Sequence, residues 1–190
     1  MRSRFTIGID EVGRGPIAGP VTVCACMISS DIAKKYKGIK DSKKLSEKKR
    51  EEIFSIIKNE VQYQVTSISA KEIDKKGISF CIKKALATSI SIFPTDTLVL
   101  LDGGLKAPLE FKHQKTIIKG DEKEVCIAFA SIIAKVTRDR YMQKMAKKHP
   151  QYGFEGHKGY GTKAHYLAIE KSGKSSLHRL SFLQKTIKPV

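Results

Sequence analysis

The sequence predicts an α/β fold: one main sheet with helices packed on it. Short β-rich runs alternate with longer stretches of helical periodicity, which is the pattern of strands feeding helices. The chain's 190 residues suffice for one sizeable core, and its composition, 41% hydrophobic and 29% charged, is that of a self-folding globule and not of a disordered tail.

Phe5 to Ile9 reads as a strand that should stop at Asp10, and after a Gly/Pro-rich turn Val21 to Ile28 reads as a second. Gly38 to Lys44 is expected to be a loop. Ser46 followed by Glu47 has the serine and early acid that open a helix, continued on one face by Ile53, Phe54, Ile56 and Ile57. Tyr63, Val65 and Ile68 suggest a third strand. From Ala70 to Ile90 the period turns helical, with an interruption near Gly77, and Pro94 ends it. Leu98 to Leu101 is a buried strand ending at Asp102. A short fifth strand, Thr116 to Ile118, stops at Lys119-Gly120-Asp121, and a long helix is expected from Glu122 to about Lys148, with Asp121 at its start. Past Pro150 the chain turns rich in Gly, Tyr, His and Lys, then resumes as a short helix from about Lys163 to Lys171. These features divide the chain into a main body over residues 1–150 and a C-terminal loop and helical extension over 151–190, both parts of one compact unit.

The formal charge of +17 makes a polyanion the first partner to consider, and nucleic acid the leading one, against the alternative of a basic surface that binds nothing specific. Between Tyr141 and Val190 ten basic side chains face two acidic ones, so the charge is concentrated toward the C-terminal end. Cys24, Cys26, Cys81 and Cys126 show no zinc-site spacing and read as small buried hydrophobes in a reducing compartment. The apolar stretch after Met1–Arg4 is broken by Asp10 and Glu11, too short and too acidic for a signal peptide or a membrane span, so a cytoplasmic protein without a membrane partner is expected.

In α/β sheets, ligands gather at the carboxyl ends of central strands, and three of these ends carry acid: Asp10-Glu11, Asp102 and Asp121. Any one of them alone is by default a turn former or helix cap. Placed side by side, the four carboxylates would repel one another and hold raised pKa values until something cationic sat among them. Oxygen-only ligands suit Mg²⁺ or Mn²⁺, and two such ions about 4 Å apart serve phosphodiester hydrolysis. A basic protein with an acidic metal pocket is what a nuclease requires.

Asp10-Glu11-Val12-Gly13-Arg14-Gly15-Pro16 with Gly19-Pro20, then Asp41-Ser42-Lys43-Lys44-Leu45, resembles the ribonuclease HII family. The resemblance continues in order through Asp102-Gly103, Lys119-Gly120-Asp121, Ala130 to Val136 with Arg138-Asp139, His157-Lys158-Gly159-Tyr160, and His178-Arg179 with Ser181-Phe182, about Ile7 to Phe182. It implies an RNase H-like five-stranded mixed sheet flanked by helices, with a small C-terminal helical extension. It also implies an endonuclease of RNA/DNA hybrids, and of duplex DNA holding single ribonucleotides, that serves ribonucleotide and RNA primer removal. On that resemblance Asp10, Glu11, Asp102 and Asp121 are the catalytic metal ligands for two Mn²⁺ or Mg²⁺ ions. The bond 5′ to the ribonucleotide is cut by water, leaving a 3′-hydroxyl and a 5′-phosphate.

Gly13, Arg14 and Gly15 would grip the ribonucleotide and sense its 2′-OH through backbone groups, and Tyr160 would stack on the following deoxyribose. Lys43 is a phosphate contact or, alternatively, a solvated loop lysine. Two positions depart from the family pattern: Gly161 stands where Pro is frequent, which should loosen the loop, and Phe129 stands where small residues are usual. The sister family, ribonuclease HIII, is disfavoured by the sequence after Asp10-Glu11. A non-catalytic hybrid-binding module and an RNase H-like enzyme of DNA are the rivals, and a monomer is expected. His113, His149 and His165 receive no role.

Overall fold

The computed structural model describes residues 4–39 and 45–183. Five strands form one sheet: β1 (Phe5–Val12), β2 (Val21–Ser29), β3 (Gln62–Ile68), β4 (Leu98–Asp102) and β5 (Gln114–Ile117), in the order β3-β2-β1-β4-β5. β1 runs antiparallel to β2 and parallel to β4, with Ile9 between Ala25 and Leu101; β3 is antiparallel to β2, and β5 is parallel to β4. The sheet is thus mixed and five-stranded, as the resemblance implied. Eight helices accompany it among the described residues: α1 (Ser30–Lys35), α2 (Glu47–Ile57), α3 (Ala70–Lys76), α4 (Ile78–Ile90), α5 (Val125–Lys148), α6 (Phe154–His157), α7 (Lys163–Ser172) and α8 (Leu180–Leu183).

Strand alternation sends side chains into two separate cores. On one face Ile7, Ile9, Val21, Val23, Val99 and Leu101 pack with Ile82, Ala85, Leu86 and Ile90 of α4. On the other, Cys24, Cys26, Ile28 and Leu100 meet α2 and the N-terminal half of α5. This second face buries α5 from Cys126 to Ala134 without interruption, because the helix lies under the sheet and is covered by α2 as well. Gly8 lets it approach: a Cβ there would stand 2.5 Å from the Ile127 amide nitrogen and nearer still to the Cys126 carbonyl. Beyond Pro150, Tyr152 and Phe154 form a third cluster with Ala18, Met142 and Ala146, and Ala18 bridges to His178, which ties the C-terminal segment to the loop after β1.

Several boundaries differ from the sequence reading. β1 does not end at Asp10 but runs through Val12, because β2 is long enough to keep pairing as far as Val12 opposite Thr22. β5 starts earlier, at Gln114, and leaves Ile118 exposed. The long helix begins at Val125; Asp121 instead sits in a separate 3-10 turn, Gly120–Glu122. α1 was not anticipated. The interruption at Gly77 is real, with φ +81 ending α3 and starting α4. Among the described residues no helix is long and apolar enough to cross a membrane.

Candidate active site

β1 and β4 are parallel neighbours, with Ile9 paired to Leu101, so the next residues of each strand, Asp10 and Asp102, emerge at the same end of the sheet. The turn after β5 closes on them. Asp102 Oδ1 accepts a 2.6 Å hydrogen bond from the Gly120 amide, and a Cβ on Gly120 would meet Ile127 Cδ1 at 2.5 Å, so glycine is what allows the turn to seat beside Asp102. Asp121, the following residue, is 1% exposed. Asp10 is 4% exposed and accepts a 2.7 Å bond from the Glu11 amide and another from the Ser131 hydroxyl of α5. Glu11 is less buried, with Oε1 3.7 Å from the Arg14 guanidinium.

Burial pushes the Asp10 carboxyl up to about 7; the Ser131 bond opposes this, and the nearby charges of Asp102 and Glu11 add to it. Among the described residues no three acidic, histidine or cysteine side chains stand close enough to hold an ion as they are now arranged. Asp10 and Asp102 each turn an oxygen to a backbone amide. The residues nevertheless fit a hard divalent ion. The donor set is all oxygen, and a carboxyl raised by burial and by its acidic neighbours is a group that a cation would return to its ionised form.

The loop from Gly13 to Pro20 is held by two buried arginines, Arg138 and Arg179, which the sequence places in the family motifs without showing what they hold. Arg179 donates to the carbonyls of Gly13 (2.7 Å), Arg14 (3.1 Å) and Gly19 (3.0 Å). Arg138 donates to those of Pro20 (2.9 Å), Ala18 (3.2 Å) and Lys158 (2.9 Å). Desolvation lowers both guanidinium pKa values, that of Arg179 to about 9. Gly13 has φ +88, and a Cβ on it would lie 2.6 Å from the Pro20 oxygen and closer to the Arg138 side chain. Gly15 has nothing within 4 Å of its Cβ position, so its backbone faces open space. The Arg14 side chain is exposed.

Tyr160 is 43% exposed, with the Arg138 guanidinium 5.9 Å from its ring, so one buried arginine touches both the Gly13–Pro20 loop and this tyrosine. The space beside Gly161 is filled: a Cβ there would come 2.9 Å from the Tyr166 hydroxyl, so a side chain at this position would displace the end of the Tyr166 ring. Phe129 is fully buried, edge-on to Tyr36 at 5.4 Å. Lys43 lies outside the described residues. The inward direction of two side chains of the site was legible: Ser131 follows Ile127, and Arg138 follows Ala130 and Ala134, at the four-residue spacing of the buried face of α5. For Arg179 the family motif was the one signal, and it does not reveal the carbonyls it holds.

The family model described as Ribonuclease HII matches residues 7–185. A curated Ribonuclease HII of Clostridium beijerinckii is 47% identical over 190 residues, covering 97% of this chain and 69% of the relative. That of Caldicellulosiruptor bescii is 43% identical over 185 residues, covering 97% and 89%. Among solved structures, the PCNA:RNase HII complex from Archaeoglobus fulgidus aligns with a TM-score of 0.78 at 28% identity, covering 93% and 94% of the two chains. Ribonuclease H2 from Pyrococcus horikoshii OT3 gives 0.76 at 26%, covering 95% and 96%.

Proposed function

Because this chain belongs to the ribonuclease HII family, whose members are metal-dependent endoribonucleases of RNA/DNA hybrids, we propose that it cuts the bond 5′ to a ribonucleotide, including a single one embedded in duplex DNA. Asp10, Glu11, Asp102 and Asp121 are its metal ligands and catalytic residues in this reading. The observation that carries it is the pair of acids, buried Asp10 and half-buried Asp102, that follow the last paired residues of the parallel strands β1 and β4, with the Asp121 turn bonded to Asp102.

Two Mg²⁺ or Mn²⁺ ions would supply activation of a water and stabilisation of the leaving 3′-oxygen. The chain's own residues do the rest. Asp10 lies within β1 where its pairing with β4 ends, Asp102 closes β4 and Asp121 sits in a tight turn, so their backbones are held in place and only side chains need turn toward a substrate phosphate. Gly15 offers its backbone unobstructed, which suits close approach to a ribose 2′-OH, and the exposed Arg14 lies where it can neutralise phosphate. Tyr160 presents a half-exposed ring beside the same loop, suited to stacking on the next sugar. The basic C-terminal part and Lys43 contribute phosphate contacts that position the duplex. The products are a 3′-hydroxyl and a 5′-phosphate, since water and not the 2′-OH is the nucleophile. All these groups lie in one chain, so the activity needs no second subunit, and its place is the cytoplasm, in ribonucleotide and primer removal.

The test is cleavage of a labelled DNA duplex carrying one ribonucleotide, beside an all-DNA duplex, in Mg²⁺, Mn²⁺ and chelator. Metal-dependent cutting on the 5′ side of the ribonucleotide alone is expected. Cutting of the all-DNA duplex, or cutting in chelator, refutes the reading.

A further inference from the structure

Under Tyr160 lies a cluster of imidazoles whose hydrogen bonds leave each ring only one protonation state. His165 Nδ1 is 2.8 Å from the Tyr160 carbonyl oxygen, which only accepts, so Nδ1 carries the proton. His178 Nδ1 is 2.8 Å from the Ser175 amide, which only donates, and 2.9 Å from the Ser175 hydroxyl, which can donate to it as well; the amide fixes that nitrogen as bare, so the proton is on Nε2. The two Nε2 atoms are 3.1 Å apart, and the one consistent assignment has His178 donating to His165. The chain of bonds therefore runs in one direction, from the Ser175 amide through His178 and His165 to the Tyr160 carbonyl. His157, stacked on His165 at 4.2 Å, is neutral by the same reasoning: Nε2 donates to the Tyr152 carbonyl and Nδ1 accepts from the Gly159 amide.

We propose that His178 and His165 form a neutral, one-directional relay that sets the backbone position of Tyr160, which makes both histidines positioning residues for substrate recognition. This rests on the reading of Tyr160 as a substrate contact. His165 and His178 are 0% and 2% exposed, and neither reaches the carboxylates; the atom the relay reaches is a main-chain oxygen of the residue whose ring is presented to solvent. His178 is also next to Arg179. One dipeptide therefore holds Tyr160 through the relay and the Gly13 and Arg14 carbonyls through the guanidinium, fixing the two parts of the recognition surface relative to each other.

Surroundings keep the relay neutral. Tyr152 and Phe154 rings cover the imidazoles, burial lowers the pKa of His165 to about 4 and that of His178 below its usual value, and the Lys174 charge pushes His178 the same way. A proton added to His165 Nε2 would set two N–H groups against each other and break the chain of bonds.

Two measurements test the proposal. Long-range ¹⁵N–¹H NMR of the intact protein at pH 7 should show His165 protonated on Nδ1 only, with His178 and His157 on Nε2 only; a cationic ring or the opposite tautomer at His165 or His178 overturns the relay. Kinetics on a duplex with a single ribonucleotide should show His165→Leu raising KM about tenfold with kcat changed less than about threefold, whereas His165→Asn, which keeps an N–H near the Nδ1 position, stays within about threefold of the parent. Equal losses in both variants, or none in His165→Leu, overturn the positioning role. If Tyr160→Ala leaves KM unchanged, the reading of Tyr160 fails and the positioning role fails with it, while the tautomers remain as assigned.

Discussion

Gly8→Ala probes a contact that positions the site, the approach of α5 to β1. The added methyl carbon would stand 2.5 Å from the Ile127 amide nitrogen, against backbone that has no rotamer to change, while ordinary contact begins near 3.4 Å. The helix must therefore withdraw by at least 3.4 − 2.5 = 0.9 Å at that point. Overpacking of this kind costs about 1–3 kcal/mol, and separating α5 from the sheet adds a cavity cost of about 24 cal/mol per Å³ opened. A loss of about 3 kcal/mol is expected, which for a chain of this size lowers Tm by roughly 6–12 °C. Ser131 rides on the same helix and the Asp121 turn precedes it, so kcat/KM should fall by about tenfold or more even well below the melting range. Urea and thermal melts, with cleavage assayed at 20 °C below the variant's midpoint by design, measure both. A variant within about 0.5 kcal/mol of the parent and within twofold in kcat/KM, by order-of-magnitude standards for surface substitutions, would falsify the packing of α5 on β1.

Asp10→Asn should abolish metal-dependent cleavage yet raise Tm by a few degrees in chelator, since it removes a buried carboxylate repelled by Asp102 and Glu11; a melt that falls contradicts this electrostatic account. Gly13→Ala combines a positive φ with a clash against the Arg138 side chain, and should weaken hybrid binding in a fluorescence anisotropy titration while costing about 1–3 kcal/mol of stability. For His165 the folded pKa, about 4, lies below the usual 6.5, so the unfolded chain binds the extra proton. Stability from this group is complete above about pH 6.5 and declines toward about pH 4, with a slope of at most about 1.4 kcal/mol per pH unit. Urea midpoints at pH 7.5, 6 and 5 should show a decline that His165→Asn flattens.

The legible part of the site was the acids. Asp102 closes a run of four apolar residues, Asp10-Glu11 interrupts another, and Asp121 follows a third, so their relation to strands could be read from local pattern alone. The end of β1 could not be, because Asp10, Glu11 and Val12 are kept in the strand by pairing with Cys24, Val23 and Thr22, partners set by the register of β2 and not by local propensity. Nor could the turn at Gly120, whose closure depends on Asp102, eighteen residues away.

By itself the sequence determined the alternation of strands and helices, the two faces of each strand, the basic charge and the family motifs that name the carboxylates, because each is written in neighbouring residues. The tertiary structure decided which strand ends adjoin, and what Arg138, Arg179, His165 and His178 hold. Arg179 reaches Gly13 across 166 residues and Arg138 reaches Ala18 across 120. A buried polar side chain takes its meaning from the acceptor it satisfies, and that acceptor is chosen by how distant segments pack.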